Sequence, residues 1–464
     1  MNIRPAFVSL IVLFLSVTGV LAADPAASKP NILFIFADDW GWGDLSCHGH
    51  PYIKTPNIDR LANKGTDFTN FTVASGVCSP SRAAILTGRF PARFGISGHF
   101  ASVRSNTNRK MPDWLDPGVP TLPRILQEAG YLTGHFGKWH LTGSEVADAP
   151  RPELYGYDRV GAYNCSGELM PVHDDAKNAV SLIETSHREG KPFFINLWVH
   201  EPHTPFHTVK EYEDRFPDLP KADNIYASVL SHADDRIGQV LDALDRLGMT
   251  ENTLVIFSSD NGPAGSGKAG KLVMKNDPAT GDGYFGASMG TTGGRKGRKR
   301  SLFQGGVGVP FLARWPGKIE AGGRDDVSWI SAVDLLPTFC EVAGADLPAD
   351  FQADGKSQLA VLTGQPEAQR EKPLYWTRHS AGGSGPGQIG EYAILEGKWK
   401  LLADNESKQV ELYDVSQDAL ERVDLSAQFP ERVADLTQKL KEWKKSLPEE
   451  VDAGVKSKLR KNTG

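Results

Sequence analysis

The sequence predicts an α/β fold: a large, mainly parallel mixed sheet sandwiched by helices, followed by a small C-terminal antiparallel sheet with a helix. Three observations carry this. Apolar runs of strand length alternate with stretches of helical periodicity. The runs are near-continuously apolar, the pattern of parallel strands covered on both faces. Near residue 370 the alternation gives way to closely spaced short strands.

A chain of 464 residues exceeds one small core and suits a large domain with a smaller one. With 40% hydrophobic and 23% charged residues it is globular, and a net charge of -6 excludes general nucleic-acid binding. Residues 1–22 read as an export signal. Arg4 precedes the apolar run AFVSLIVLFLSVTGVLA, and Val20-Leu21-Ala22 fits a small-residue cleavage site. No later stretch is long and apolar enough to span a bilayer, so the expectation is an exported protein, periplasmic or secreted, with no stable membrane anchor.

The elements follow in order. NILFIFA (31–37) is a buried strand, and TPNIDRLANKG is a helix with Thr55 as cap and Pro56 in its first position. TLPRILQEAG repeats that form and stops at Gly130; YLTGHFG (131–137) and PFFINLWV (192–199) are further strands. Between 223 and 247, Tyr226, Val229, Leu230, Ala233, Ile237, Val240, Leu241 and Leu244 make one apolar helical face. TLVIFSS (253–259) is the next strand, and 262–298 is a Gly- and Lys-rich loop without periodicity, long enough to be functional. A main domain over 23–370 is followed by 371–464, where EYAILEGKWKLLAD and QVELYDVS read as short antiparallel strands. Val433, Leu436, Leu440, Trp443 and Leu447 mark a last amphipathic helix.

In open parallel sheets, ligands bind beyond the carboxyl ends of the strands. The four runs lead into Asp38-Asp39, Lys138-Trp139-His140, His200-Glu201-Pro202-His203 and Asp260-Asn261, which parallel pairing places on one edge. Taken singly, Asp38-Asp39 also suits a helix cap and Asp260-Asn261-Gly262-Pro263 a turn. Together they offer three carboxylates and an amide, the oxygen ligands of a hard cation such as Ca²⁺ or Mg²⁺. Lys138, His140 and His203 beside them suit an anionic substrate.

The cysteines Cys47, Cys78, Cys165 and Cys340 form no C-x-x-C pattern and no disulfide framework. Cys78 opens a helix-compatible run ending at Gly88. A helix N-terminus favours anions and lowers a thiol pKa, and Arg82 adds charge one turn on. A thiolate nucleophile is one reading, although a thiolate is a poor neighbour for a hard cation.

Cys78-Ser79-Pro80-Ser81-Arg82, continued by Ala83 to Arg89, resembles the C-x-P-x-R signature of the sulfatase family in the alkaline phosphatase superfamily. The likeness extends from PNILFIFADDWGWGDL to VELYDVSQDALERVDL. It implies an alkaline phosphatase-like fold, with residues 23–370 as the catalytic domain, and sulfate-ester hydrolysis. Cys78 is then converted by a formylglycine-generating enzyme to formylglycine, whose gem-diol is an oxygen nucleophile. One Ca²⁺ is bound by Asp38, Asp39, Asp260 and Asn261, with residue 78 also contacting it. Arg82 and Lys138 hold the nucleophile and neutralise sulfate, and His140 hydrogen-bonds the nucleophile. His203 is the histidine near the leaving oxygen, and His200 is the candidate that fits less well. Counting back from Gly305-Gly306 gives Lys299 as a further site lysine, with Lys296 as the alternative. Many relatives have glutamate at Gln304 and arginine at Gly308, so no role is carried to those positions.

The implied mechanism is a double displacement: a diol hydroxyl attacks sulfur, the alcohol leaves, and the second hydroxyl expels sulfate. Export and the basic loop favour a sulfated carbohydrate, with Trp376 and Arg378 as candidate sugar contacts. Two other readings fit parts of the pattern. One is a phosphomonoester or phosphodiester hydrolase of the same superfamily, which usually binds two metals. The other is a non-catalytic binder of anionic polysaccharide, should Cys78 stay unmodified.

Overall fold

A computed structural model of the chain describes residues 29–462 apart from 167, 266–270, 279, 287–288, 368 and 379–389. The expected export signal, 1–22, lies outside the described residues.

The main sheet has eight strands. They are β1 (Asn31–Ala37), β2 (Thr66–Phe68), β3 (Leu132–Lys138), β4 (Arg159–Tyr163), β5 (Phe193–Trp198), β6 (Thr253–Ser259), β7 (Phe311–Arg314) and β8 (Gly323–Asp325). Their spatial order is β8-β2-β7-β6-β1-β5-β3-β4. From β6 to β4 all neighbours are parallel. β7 runs antiparallel to β6 and β2, which makes the sheet mixed. The register pairs Ala37 with Ser259, Ile35 with Leu197 and Gly137 with Trp198, so β1, β3, β5 and β6 end at one edge. β2, β7 and β8 escaped the sequence reading because three or four residues are too few to show a period.

Both faces are covered. Alternate β1 side chains point to opposite sides, as a pleated strand requires. Leu33 and Ile35 enter a core shared with α1 (Pro56–Asn63), α4 (Asp175–Glu189) and α5 (Lys221–Arg246). Ile32, Phe34 and Phe36 enter the other core, with α2 (Cys78–Thr87), α3 (Leu122–Glu128) and α6 (Leu335–Ala343). All seven β1 residues are buried; each large apolar side chain removed from water contributes about 1.5–3 kcal/mol.

This second core runs on into the C-terminal sheet of β9 (Leu374–Thr377), β10 (Tyr392–Glu396), β11 (Trp399–Ala403) and β12 (Val410–Asp414), antiparallel throughout. The helix α7 (Pro430–Lys445) packs on it, with Trp443 stacked on Tyr375 at 4.6 Å. The 262–298 stretch, expected to lack periodicity, holds a hairpin of Val273–Asp277 and Gly281–Phe285. Its strands pair with each other and are largely exposed, so no buried face imprinted a pattern on the sequence. Tyr284 exchanges backbone hydrogen bonds of 2.8 and 3.0 Å with Phe206, docking the hairpin on the segment after β5. All four cysteines are free. Among the described residues no helix is long and apolar enough to cross a membrane.

Candidate active site

The edge where β1, β3, β5 and β6 end gathers the polar residues. Asp38 and Asp39 follow β1, and Asp39 has a φ of +67°. His140, two residues after β3, has a φ of +55°. Left-handed backbone at non-glycine residues costs on the order of 1–3 kcal/mol and persists only where surroundings over-determine it. For Asp39 the surroundings are visible: its N–H donates to Asp260 Oδ1 at 3.2 Å, and Trp40 N–H donates to Ser259 Oγ at 2.9 Å.

α2 begins at Cys78 and is buried along its whole length. Cys78 Sγ lies 3.6 Å from Asp38 Oδ1 and 3.7 Å from Lys138 Nζ. One turn on, Arg82 donates to Asp260 Oδ2 from Nε (3.2 Å) and Nη2 (2.7 Å), and from Nη1 to the Lys138 carbonyl (3.1 Å). Its guanidinium also lies over the Trp198 ring at 4.9 Å. Lys138 Nζ donates to Asp38 Oδ2. Lys299 Nζ stands 2.5 Å from Asp39 Oδ1. Lys296, the alternative, instead pairs with Glu411 and Tyr413 of the C-terminal sheet.

The glycines explain how Lys299 arrives. A Cβ on Gly262 would meet the Gly305 carbonyl at 1.9 Å, and one on Gly305 would meet the Gly297 carbonyl at 2.2 Å. Only bare backbone lets the turn after Asn261, the Gly305-Gly306 pair and the basic loop pack against one another. Lys299 N–H then donates to the Pro263 carbonyl (3.1 Å). Glu421, in the C-terminal region, accepts from Gln304 N–H at 2.5 Å and pairs with Lys400 at 2.7 Å, both carboxylate and ammonium fully buried.

The histidines differ. His203 Nε2 is 3.9 Å from Asp39 Oδ2, while its Nδ1–H donates to the Thr204 carbonyl. His200 is turned to the Pro205 carbonyl at 3.0 Å. His140 Nε2–H donates to the Phe100 carbonyl at 3.0 Å, so the hydrogen bond that the resemblance implies to residue 78 is not made by the cysteine form. His99 is a residue that sequence reasoning missed: its half-buried ring lies 6.4 Å from that of His140. Nothing in its local sequence marks it.

Electrostatics follow from burial. Burial pushes the Asp260 carboxyl up to about 7, with Asp38 adding to the shift and Arg82 opposing it. Burial also raises Asp39, against the pull of Lys299. Asp38 is buried too, yet the fixed cations Lys138, Arg82 and Lys299 outweigh the desolvation and hold it well below the usual carboxylate range. Asn261 Oδ1 is buried without a partner, while its Nδ2 donates to Asp39 Oδ1 at 2.6 Å. Carboxylates raised by desolvation beside an orphaned amide oxygen are an oxygen donor set that a hard cation satisfies. Asp38, Asp39, Cys78 and His203 present ligand atoms within 4.8 Å of one another.

Two sequence expectations are corrected. Burial pushes the Cys78 thiol up to about 12, with Lys138 and Lys299 only partly opposing it. The helix N-terminus therefore does not make a thiolate, because desolvation exceeds the dipole's benefit. Trp376 is 1% exposed and its Nε1–H donates to the Val73 carbonyl at 2.7 Å, so it braces the loop before Cys78 and cannot face a sugar. Arg378 reaches the Arg300 carbonyl at 3.2 Å, beside Lys299.

Oxygen donors and fixed cations converging at the carboxyl ends of a mixed sheet suit hydrolysis of an ester of a tetrahedral oxyanion. The chain belongs to the sulfatase family: the family model described as Sulfatase matches residues 30–345, and that of the N-sulphoglucosamine sulphohydrolase C-terminal region matches 297–447. It is 32% identical to arylsulfatase A of Homo sapiens over 427 residues, 82% of this chain and 76% of the relative. N-acetylgalactosamine-6-sulfatase of Mus musculus is 31% identical over 412 residues, 79% of this chain and 72% of the relative. The crystal structure of Ps i-CgsB in complex with k-i-k-neocarrahexaose superposes with a TM-score of 0.75 at 26% identity, covering 94% of this chain and 98% of that one. The protein is a sulfatase enzyme that hydrolyses sulfate esters.

Proposed function

We propose that this sulfatase removes sulfate from a carbohydrate, with formylglycine derived from Cys78 as nucleophile and one Ca²⁺ held by Asp38, Asp39, Asp260, Asn261 and residue 78. The observation that carries this reading is the position of Cys78. Its sulfur sits between Asp38 and Lys138 at the centre of the charged cluster, yet burial keeps it a neutral thiol. A residue so placed is useful once it carries oxygen: the hydrated aldehyde supplies a hydroxyl nucleophile, and Ca²⁺ supplies Lewis acidity toward that oxygen and the sulfate.

The chain's own residues do the rest. Arg82, Lys138 and Lys299 balance Asp38, Asp39 and Asp260 one for one, so a bound divalent cation leaves a surplus of positive charge for a sulfate group. Burial opposes charge on Lys299, but Asp39 and its neighbours raise its pKa, so it stays cationic beside the departing oxygen. His203 Nδ1–H is committed to a carbonyl, so Nε2 bears a proton only in the imidazolium form, which burial disfavours. An arriving anion favours that form and readies His203 to protonate the leaving alkoxide. His140 orients residue 78 once that residue carries oxygen, and Arg378 contacts the saccharide.

The relative crystallised with a neocarrahexaose supports a sugar substrate. Residues 1–22 serve as an export signal, 23–370 form the catalytic domain and 371–464 a C-terminal subdomain. A formylglycine-generating enzyme matures the protein, which acts outside the cytoplasm, periplasmic or secreted. Mass spectrometry of the peptide containing residue 78, read against desulfation of a panel of defined sulfated sugars, tests the proposal. The expected outcome is activity proportional to the oxidised fraction. Equal turnover by wholly unmodified thiol protein would overturn it.

A further inference from the structure

Glu201, between His200 and His203 in sequence, belongs to a second cluster. We propose that His173, Glu201 and His232, with His207 as fourth donor, form a separate metal site that takes a borderline divalent ion such as Zn²⁺.

The donors come from three parts of the fold. His173 lies in the turn Val172–Asp174 that leads into α4, His232 lies on α5, and Glu201 and His207 lie in the segment after β5. One ligand atom from each of His173, Glu201 and His232 lies within 4.8 Å of the others. The rings of His173 and His232 meet nearly perpendicular at 4.4 Å, and His173 Nε2 is 3.3 Å from Glu201 Oε1. None of the four donors belongs to the strand-end cluster.

Two nitrogens point to a missing ligand. His207 Nε2 is buried without a hydrogen-bond partner, and buried His173 Nε2 has nothing beyond its 3.3 Å approach to Glu201 Oε1. His207 Nδ1–H donates to the Asp282 carbonyl at 2.9 Å, which fixes the tautomer and leaves the lone pair on Nε2. Metal-bound histidines are oriented in this way by a carbonyl behind the ring. The His207 ring lies 6.2 Å from that of His173.

The chemistry selects the ion. Imidazoles with one carboxylate are an N/O set that zinc takes and calcium does not. Burial brings the His232 imidazole down to about 4, so the ring is neutral, and its Nδ1 accepts from Arg236 Nη1 at 3.4 Å, a long contact that a metal ion would have to displace. Arg236 is the apparent obstacle, since it grips Glu201 at 3.0 and 2.7 Å. It also grips Asp175 at 3.0 and 3.2 Å. One guanidinium between two carboxylates leaves a residual negative charge beside the imidazoles. Each carboxylate oxygen keeps a further lone pair for a metal, so Arg236 acts as an outer partner that orients Glu201.

The test is calorimetric titration of Zn²⁺ into the mature protein saturated with Ca²⁺. One equivalent of Zn²⁺ should bind and raise Tm, because it ties the segment carrying His203 to α5. His232→Ala and His173→Gln should each weaken Zn²⁺ by more than the roughly 10- to 100-fold cost of losing an outer-shell partner. Both should abolish the zinc-dependent rise in Tm while leaving calcium content and zinc-free turnover of nitrophenyl sulfate unchanged. His173 side chain is 30% exposed on a turn, so its variant carries the test if the helix variant fails to fold. Absence of Zn²⁺ binding, unchanged affinity in the variants, or loss of zinc on Asp39→Asn instead would overturn the assignment.

Discussion

The strand-end cluster and the Lys400–Glu421 pair both bury charge, but they bury it to different ends. In the pair, one ammonium meets one carboxylate at 2.7 Å with both side chains fully enclosed. The charges cancel, no ligand can enter, and the second carboxylate oxygen is spent on Gln304 N–H. The pair is a clamp that fixes the Gly305-Gly306 turn against the basic loop. In the strand-end cluster the charges also cancel, but Lys299 is 14% and His203 27% exposed at the side chain, and Asn261 Oδ1 has no partner. On the proposed reading, a divalent cation would take the carboxylates and free the cations for an anion. A closed pair gives position; an open cluster with an unmet donor gives binding. Low dielectric magnifies both.

The comparison breaks most sharply at Cys78. Cys78→Ala should lower turnover by on the order of 10⁴-fold or more, as for loss of a nucleophile, with Tm close to wild type because alanine fits the same helix start. Assay of the variant beside wild type of known oxidised fraction checks it; substantial residual turnover would mean that residue 78 is not the reacting group.

His203→Ala should separate substrates. General acid assistance is worth about 100- to 10,000-fold. A sugar alkoxide needs it and a nitrophenolate does not. The ratio of kcat/KM for the two esters, measured on fully oxidised protein, should therefore shift by that order. Equal slowing of both would leave His203 a sulfate-binding residue only.

Glu421→Gln tests the clamp. Breaking a buried pair strands Lys400 uncompensated at about 3–5 kcal/mol, so chemical denaturation should show a loss of that size, with calcium retained. Asp260→Asn should lose calcium instead, because on the proposed reading it removes a charged ligand, read by metal analysis after dialysis; it also strands the buried Arg82, so calcium content rather than stability separates the two variants. If both variants lost calcium equally, the two clusters would not be separable.

The smallest effect belongs to the hairpin. Shortening it around Val273–Phe285 should impair a large sulfated saccharide more than an aryl sulfate, because its docking at Phe206 places it along the segment that carries His203. Matching losses on both substrates would place it outside recognition.

Much of this was legible from sequence. The four central strands are buried on both faces, so their composition alone marks them, and parallel pairing then forces Asp38-Asp39, Lys138, His203 and Asp260-Asn261 to one edge. Helix starts at Pro56 and Cys78 were readable because proline and glycine fix backbone locally. What escaped depends on contacts distant in sequence. The short β2, β7 and β8 exist only because neighbours hydrogen-bond to them. The hairpin has no buried face to leave a pattern. The burial of Trp376, the neutral thiol of Cys78 and the nearness of His99 to His140 are properties of surroundings assembled from remote segments. Sequence by itself determined which residue types stand at each strand end, since periodicity and turn chemistry are local. Tertiary structure alone decided which charges meet and which side chains lose water, because desolvation and Coulomb energy depend on distances that no local pattern encodes.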